Sequence, residues 1–279
     1  MKVAVTGASG FVGRHVVAAL ARRGVEVVAS SRTRPVNLPV GIAHVAIDLA
    51  DAGDVFDRLS RPDAIIHLAW AGLPNYRSLH HFETELPLQY AFLRRLIDGG
   101  ADRLIIAGTC YEYGMQDGEL DETVDARPGN PYAYAKDALR QQLEFLRAAR
   151  PFDLTWLRLF YMYGEGQAAT SLYPQIMAAI ARGDARFPMS GGEQLRDFLP
   201  VVDVAAAIVD VALGVQGAGI LNVCSGKPTS VRGFVERVVR ENGSSITLDR
   251  GIFPYPDYEP MAFWGSSSRL ERLLGEIDG

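Results

Sequence analysis

Cysteine is scarce in this chain of 279 residues, in which Cys110 and Cys224 are the only two. Two cysteines suit the reducing cytoplasm better than a disulfide framework, so we expect a cytoplasmic protein without disulfides. The five histidines include the pair His80 and His81, but they form no cluster with cysteine or aspartate at metal-ligand spacing. The sequence therefore predicts no metal site.

Long apolar runs and an excess of positive charge are also missing. No apolar run approaches the roughly 20 residues that a membrane span needs. Met1 and Lys2 lead directly into a short apolar run, so we expect no secretory signal. The net charge of −5 argues against a nucleic-acid-binding protein. With 48% hydrophobic and 22% charged residues, the composition is typical of a soluble globular protein.

Short apolar runs alternate with helical patterns along most of the chain. Strands are predicted at about 2–6, 25–30, 42–47, 64–68, 103–108, 153–159 and 219–223, with helices between most of them. This alternation predicts an α/β fold with a doubly wound parallel sheet, whose ligands lie at the carboxyl ends of the strands. The pattern loosens after Tyr161, where glycine and proline become frequent. We therefore assign 1–160 with 203–226 to the sheet domain and 161–202 with 227–279 to a smaller substrate-binding lobe.

A glycine-rich turn follows the first predicted strand. Gly7, Gly10 and Gly13 stand between that strand and the helical pattern of Val16, Val17, Leu20 and Ala21. Such glycines allow a tight turn, close approach of the backbone to a pyrophosphate, and close packing of helix on sheet, while the helix N-terminus faces the anion. In this strand–helix context the turn predicts a dinucleotide-binding site.

The segment 130–136 places a phenol and an ammonium at the start of a predicted helix. Asn130 can cap the helix, and Pro131 suits its first position. Tyr132 and Lys136 are four residues apart and therefore share one helix face. A nearby ammonium favours the phenolate, so Lys136 is expected to lower the pKa of Tyr132 toward the range useful for proton exchange at neutral pH.

Taken together, the glycine turn and the Tyr-x-x-x-Lys segment resemble the extended short-chain dehydrogenase/reductase family of NAD(P)-dependent nucleotide-sugar epimerases, dehydratases and ketoreductases. The resemblance covers nearly the whole chain. Further matching stretches, in the family's order, are Asp48-Leu49, 63–69, 108–114, 158–167 and 196–205.

The resemblance implies a Rossmann-type sheet and a set of functional residues. It makes Tyr132 the proton donor to a substrate oxygen, Lys136 its partner and a ligand of the nicotinamide ribose, and Thr109 a second donor to the same oxygen. The residues expected to bind the cofactor are Gly7, Ser9, Gly10, Phe11, Val12, Gly13, Ser31, Arg32, Asp48, Leu49, Leu68, Ala69, Trp70, Tyr132 and Lys136. The residues expected to bind the substrate are Thr109, Cys110, Tyr161, Gln167, Ser171 and Arg196, with Arg196 on the nucleotide diphosphate.

Two positions after Thr109 bear on the reaction. Dehydratases of the family place Asp-Glu directly after the catalytic threonine, whereas this chain has Cys110 and Tyr111. Epimerase-reductases that invert two carbons carry a cysteine two residues after the catalytic hydroxyl, but Cys110 follows by one. Simple hydride transfer at one carbon remains, by a 4-ketoreductase or by a 4-epimerase.

The second strand favours the ketoreductase. Ser31 stands where NAD-preferring relatives have an aspartate, and Arg32 follows it, which favours a 2′-phosphate and hence NADP(H), with NAD(H) still possible. Because a net reductase must exchange its cofactor and often uses NADPH, we expect reduction of a dTDP- or GDP-linked 4-keto-6-deoxyhexose. The alternatives are an NAD-dependent nucleotide-sugar 4-epimerase and a non-catalytic NADP(H)-binding sensor of the same fold.

The resemblance also implies a homodimer built on two helices, near 85–98 and 131–148. Their apolar rows are Leu86, Tyr90, Leu93 and Ile97 on the first helix and Leu139, Leu143 and Leu146 on the second.

Overall fold

A computed structural model describes residues 1–278 as an α/β structure. The strands are β1 Lys2–Thr6, β2 Glu26–Ser31, β3 Ala43–Ala46, β4 Ala64–His67, β5 Arg103–Thr109, β6 Gly118–Leu120, β7 Asp153–Leu159, β8 Tyr161–Tyr163, β9 Arg186–Pro188, β10 Leu195–Pro200, β11 Gly219–Val223, β12 Pro228–Ser230, β13 Thr247–Asp249 and β14 Phe263–Gly265. The helices are α1 Phe11–Arg22, α2 Val55–Arg58, α3 Leu86–Asp98, α4 Pro131–Ala149, α5 Leu172–Arg182, α6 Val201–Gly214, α7 Val231–Glu241 and α8 Ser268–Asp278. A π-helical turn, His81–Glu85, precedes α3, and a 3₁₀ turn, Cys110–Tyr113, follows β5.

Seven strands form one parallel sheet in the order β3-β2-β1-β4-β5-β7-β11. All seven are strands that the sequence predicts, and no bound differs from the prediction by more than one residue. The order reverses at β1, which lies between β2 and β4. This is the doubly wound Rossmann-type arrangement, and it confirms the predicted fold class.

Both faces of the sheet are covered because its strands are apolar on both sides. Val3 and Val5 of β1 pack with α1 and α6, whereas Ala4 between them packs with α2, α3 and α4 on the opposite face. Buried parallel sheets have this two-sided apolar character. The glycine turn after β1 and the turn after β5 are thereby held at the same edge of the sheet.

The structure corrects the interpretation of the apolar rows on α3 and α4. Leu93, Leu139 and Leu143 are fully buried against the sheet of their own chain. They are therefore not available to a second subunit. The outward face of α4 instead carries the exposed Tyr134 and Phe145.

Three small sheets lie beyond the main one. Their strand orders are β12-β10-β8, β13-β9 and β14-β6. Helices α5 and α7 share an apolar cluster with β9. The division into 1–160 with 203–226 and 161–202 with 227–279 stays a prediction. Leu270 of α8 is buried in the cluster that contains α1 and α6, so this helix packs on the main sheet.

None of the helices within residues 1–278 combines the length and the apolar character that crossing a membrane requires.

Candidate active site

The turn between β1 and α1 brings backbone close to backbone. A Cβ added at Gly13 would lie 2.1 Å from the carbonyl oxygen of Gly7. At Gly7, where φ is +73°, a Cβ would lie 2.7 Å from the amide nitrogen of Ala69. Gly10 caps α1 without a side chain, so the first N–H groups of the helix face an open cavity. This surface fits the pyrophosphate of a dinucleotide.

Two cavities of about 510 and 290 Å³ meet at this turn, since Gly7, Gly10, Leu68 and Trp70 line both. Of the residues expected to bind the cofactor, the larger cavity has Gly7, Gly10, Phe11, Val12, Gly13, Leu68, Trp70, Tyr132 and Lys136 on its wall. The smaller cavity has Ser9, Ser31, Arg32, Asp48, Leu49 and Ala69. The structure therefore brings every expected cofactor residue to one continuous space, although their roles stay predictions.

Helix α4 delivers Tyr132 and Lys136 to the larger cavity. The Asn130 side chain accepts a hydrogen bond from the Ala133 amide at 2.9 Å, and Pro131 occupies the first turn, as the sequence predicts. Both side chains point toward the sheet and are almost completely buried. Thr109, at the end of β5, lines the same cavity. The three residues expected to be catalytic thus come together from two elements.

Lys136 is held by a carbonyl and an aromatic ring. Its Nζ donates to the Ala107 carbonyl at 2.8 Å and lies 3.9 Å from the centre of the Trp70 indole. Burial lowers the pKa of Lys136 to about 7, although the negative charges of Glu112 and Glu85 oppose that change. Trp70 is itself fixed, because its indole N–H donates to His81 Nδ1 at 3.1 Å.

The electrostatics of Tyr132 differ from the expectation. Burial raises the pKa of the Tyr132 hydroxyl, and the Tyr76 and Glu112 side chains act in the same direction. A hydrogen bond with Thr109 opposes the rise. The Lys136 ammonium lies 6.0 Å from the centre of the Tyr132 ring and does not reverse the effect of burial. The prediction that Lys136 lowers the pKa of Tyr132 is therefore wrong, because burial raises it.

The end of β5 is built around a buried carboxylate. Glu112 is fully buried, and its Oε1 accepts from the Thr109 amide at 2.9 Å. The Trp156 indole N–H and Arg158 Nε also donate to Glu112, at 3.0 and 2.9 Å. Thr109 in turn caps the 3₁₀ turn, because its hydroxyl oxygen accepts from the Tyr111 amide at 3.3 Å. This cap does not use the hydroxyl hydrogen of Thr109.

The expected substrate residues divide into two groups. Thr109, Cys110, Tyr161, Gln167 and Ser171 all line the larger cavity. Burial raises the pKa of the Cys110 thiol. The exception is Arg196.

Arg196 lines neither cavity. Its side chain is 3% exposed and forms an ion pair with Glu259, in which Nε and Nη2 lie 2.8 and 2.7 Å from Oε2. Its Nη1 donates to the Leu195 and Met261 carbonyls. The placement of Arg196 on a diphosphate is therefore corrected, because a carboxylate already neutralises the guanidinium.

Sequence reasoning missed an aromatic wall on the larger cavity. Tyr76 and Tyr111 lie on this wall beside Tyr161, with ring centres 4.9 Å apart for the first pair and 6.2 Å for Tyr111 and Tyr161. Tyr161 donates to Glu259, behind the wall. Tyr76 lies in the loop after β4, where no periodicity marks it. Tyr111 lies inside the segment 108–114, in which the resemblance assigns a catalytic role to Thr109 and no place on the cavity wall to Tyr111.

Ser31 also differs from its expected geometry. Its hydroxyl donates to the Thr33 carbonyl at 2.8 Å and lies 3.1 Å from His44 Nε2. Arg32 is exposed at the wall of the smaller cavity. A ligand in that cavity would therefore meet the Arg32 cation more readily than the Ser31 proton.

Comparison with known proteins agrees with this arrangement. The model of the NAD dependent epimerase/dehydratase family matches residues 3–224. The chain belongs to this family. Among relatives, a dTDP-6-deoxy-L-talose 4-dehydrogenase (NAD(+)) of Aggregatibacter actinomycetemcomitans is 31% identical over 95% of this chain and 100% of its own length. A dTDP-6-deoxy-L-talose 4-dehydrogenase (NAD(P)(+)) of Kitasatospora kifunensis is 29% identical over 92% of this chain and 83% of its own length.

A solved member with a similar fold is MoeE5 in complex with UDP-glucuronic acid and NAD. It is 28% identical, with a TM-score of 0.84 over 99% of this chain and 93% of that chain. The recognition from sequence motifs is thus confirmed at the level of the epimerase/dehydratase family. Within residues 1–278, no group of three or more His, Cys, Asp or Glu side chains is arranged to hold a metal ion.

Proposed function

We propose that this chain is a nucleotide-sugar 4-ketoreductase that reduces the 4-keto group of a dTDP- or GDP-linked 4-keto-6-deoxyhexose with NAD(P)H. The observation that carries the proposal is the convergence of Thr109, Tyr132 and Lys136 beside the glycine turn, on the wall of one cavity. The similarity to two talose 4-dehydrogenases supports the choice of carbon and of sugar class.

The chain's own side chains match ketone reduction. The nicotinamide, when bound, supplies the hydride. Tyr132 donates a proton to the oxygen that becomes the alcohol, and Thr109 donates a hydrogen bond to the same oxygen, so that negative charge developing there is stabilised. The Lys136 ammonium lines the same cavity, 6.0 Å from the centre of the Tyr132 ring. In the opposite direction the Tyr132 phenolate accepts the proton of the alcohol.

The sugar end of the cavity favours a neutral sugar. Lys136 is the only charged side chain among the described residues that line the larger cavity. The wall beside Thr109 consists of Tyr76, Tyr111 and Tyr161 instead. Aromatic rings pack well against the apolar faces of sugars, and the three tyrosines of this wall offer no cation to a carboxylate at C6. The wall thus supports a 6-deoxy sugar over a uronic acid.

Turnover tests the proposal directly. The protein is incubated with dTDP- and GDP-linked 4-keto-6-deoxyhexoses, and the consumption of NADPH and NADH is followed. We expect steady cofactor oxidation with at least one of them and a product alcohol at C4. Cofactor consumption no faster than in the Tyr132→Phe control, with every substrate, would exclude a ketoreductase.

A 4-epimerase is the second candidate, since it uses the same three residues to oxidise and re-reduce one carbon. It predicts purified protein that carries tightly bound NAD and interconverts UDP- or dTDP-sugars without added cofactor. A non-catalytic sensor predicts cofactor binding without turnover of any sugar. Its weakness is that Thr109, Tyr132 and Lys136 are all present and clustered, which a sensor does not need.

The cofactor preference is part of the proposal. Arg32 is exposed beside Ser31 at the smaller cavity and can bind a 2′-phosphate, which supports NADP(H) over NAD(H). The relatives carry both NAD(+) and NAD(P)(+) in their names. Measured dissociation constants decide between the cofactors. We expect tighter NADPH binding by the parent and loss or reversal of that preference in a Ser31→Asp, Arg32→Ala variant, whereas equal constants in the parent would remove the preference.

We also propose a cytoplasmic homodimer. The resemblance places the dimer contact on α3 and α4. Tyr134 and Phe145 of α4 remain exposed at 54% and 77%, and three helical turns separate them on one face. This face supports the proposed contact in place of the buried leucines.

A further inference from the structure

A buried carboxylate lies directly behind the candidate catalytic residues, and the proposed proton transfer does not use it. Glu112 is fully buried in the 3₁₀ turn after β5. Its charge is balanced by Arg158, whose side chain is 2% exposed. Arg158 also lies with its Cζ 4.3 Å from the centre of the Tyr113 ring.

The first consequence of this arrangement is geometric. Glu112 Oε1 accepts the backbone N–H of Thr109 at 2.9 Å, and Oε2 accepts Arg158 Nε at 2.9 Å. The Trp156 indole N–H lies 3.0 and 3.1 Å from the two carboxylate oxygens. Three donors from β5 and β7 thus fix the carboxylate, and the carboxylate fixes the backbone that aims the Thr109 hydroxyl into the cavity.

The second consequence is electrostatic. The negative charge of Glu112 acts to raise the pKa of the Lys136 ammonium and the pKa of the Tyr132 hydroxyl, so it favours the protonated form of both groups. Protonated forms of both are what ketone reduction requires.

We propose that Glu112 is a positioning residue of the active site, which aims Thr109 through its backbone N–H and acts on Tyr132 and Lys136 by its charge. Glu112 lines neither cavity, and Arg158 forms an ion pair with it. The part that concerns turnover rests on the proposed ketoreductase function.

Two conservative variants separate the effect of Glu112 on the orientation of Thr109 from the effect of its charge. Glu112→Asp keeps the charge but shortens the side chain, so its contact with the Thr109 amide is lost. Since a displacement of about 1 Å in a catalytic group can cost up to roughly 10²-fold, we expect kcat to fall between about 10- and 100-fold with little change in KM. Glu112→Gln keeps an acceptor for Thr109 but removes the charge. We expect the basic limb of its kcat profile for reduction to move to lower pH, and that of Glu112→Asp to stay in place.

Trp156→Phe is the matched control, because it removes one donor to Glu112 in the same part of the core but leaves Thr109 and Arg158 in contact with it. We expect its pH profile to stay unchanged. Should Glu112→Gln fail to fold because Arg158 is left without a partner, the Glu112→Gln, Arg158→Met variant removes both charges. A pH profile unmoved in the Gln variants, or kcat unchanged in Glu112→Asp, overturns the proposal.

A measurement without substrate keeps this inference apart from the proposed function. The unfolding free energy is followed against pH for the parent, Lys136→Met, Glu112→Gln and the double variant of these two. The contribution of Lys136 titration should appear at lower pH in the Gln background than in the parent. If no ketosugar is reduced, the proposed function fails, whereas the effect of Glu112 on Lys136 is decided by this comparison alone.

Discussion

At the scale of single residues, the ring of Tyr132 packs among aromatic side chains, and its hydroxyl is the group proposed to donate the proton. Tyr76, His81 and Trp70 surround its ring with centres 5.5, 5.2 and 5.9 Å away. Only the hydroxyl has a polar task, so Tyr132→Phe should leave the packing intact. We expect turnover to fall by a factor on the order of 10² or more with cofactor affinity nearly unchanged. Steady-state kinetics and cofactor titration check this, and a Phe variant with the parent rate would mean that another group donates the proton.

Lys136 makes stability depend on pH in an unusual direction. Its pKa in the folded protein is about 7, well below the ordinary lysine value of 10.5. Between these values the unfolded chain binds more protons than the folded one, so the contribution of Lys136 to the unfolding free energy rises with pH. Without cofactor, the parent should therefore gain stability relative to Lys136→Met as pH rises from about 7 toward 10.

Denaturant unfolding of both proteins at several pH values measures this difference. Taking the difference between parent and variant removes the titration of the groups that Lys136 does not influence. A difference that stays flat, or that shrinks with rising pH, would show that Lys136 keeps an ordinary pKa in the folded chain.

At the scale of elements, the Arg196–Glu259 pair joins β10 to the segment before β14. The two side chains are 3% and 8% exposed, so removing one leaves the other charged and buried. Arg196→Ala should lower the unfolding free energy by roughly 3–5 kcal/mol. An Arg196→Met, Glu259→Met variant should recover much of that loss, because it leaves no orphan charge.

The same segment supplies a control in the pair Arg77–Asp257, whose side chains are 62% and 79% exposed. Arg77→Ala should change stability by less than about 1 kcal/mol. If Arg196→Ala keeps the parent stability but raises the substrate's Michaelis constant, Arg196 acts on the phosphates after all, as the sequence first suggested.

The elements also show which parts of the structure the sequence can predict. Strands β1 and β7 are short apolar runs, and the cap of α4 is a local exchange between Asn130 and Ala133, so local pattern reveals them. Glu259 lies 63 residues from Arg196, and no local pattern connects them. Ser31 meets His44 only because β2 and β3 pair in one register. Motifs therefore predict most of the residues that reach the cavity, with Arg196 as the exception, whereas the partners of these residues depend on tertiary contacts.

At the scale of the whole molecule, the exposed apolar side chains on α4 decide how two copies of the chain can meet. Phe145 is 77% exposed on the helix face that also carries Tyr134, on the side of the sheet opposite α1 and α6. Phe145→Glu would place a charge in the proposed contact at little cost to the isolated chain. We expect the parent to sediment as a dimer and Phe145→Glu as a monomer at the same concentration.

Val202→Glu is the matched control for that experiment, because Val202 is an apolar side chain, 51% exposed, on α6 at the other face of the sheet. This variant should stay dimeric. Val202 lies outside the proposed contact, so a glutamate there stays in solvent and is not buried between the two subunits. If both Glu variants sediment like the parent, the α4 face is not the contact. If only Val202→Glu becomes monomeric, the contact belongs to the α1 and α6 face, and the assignment taken from the resemblance is reversed.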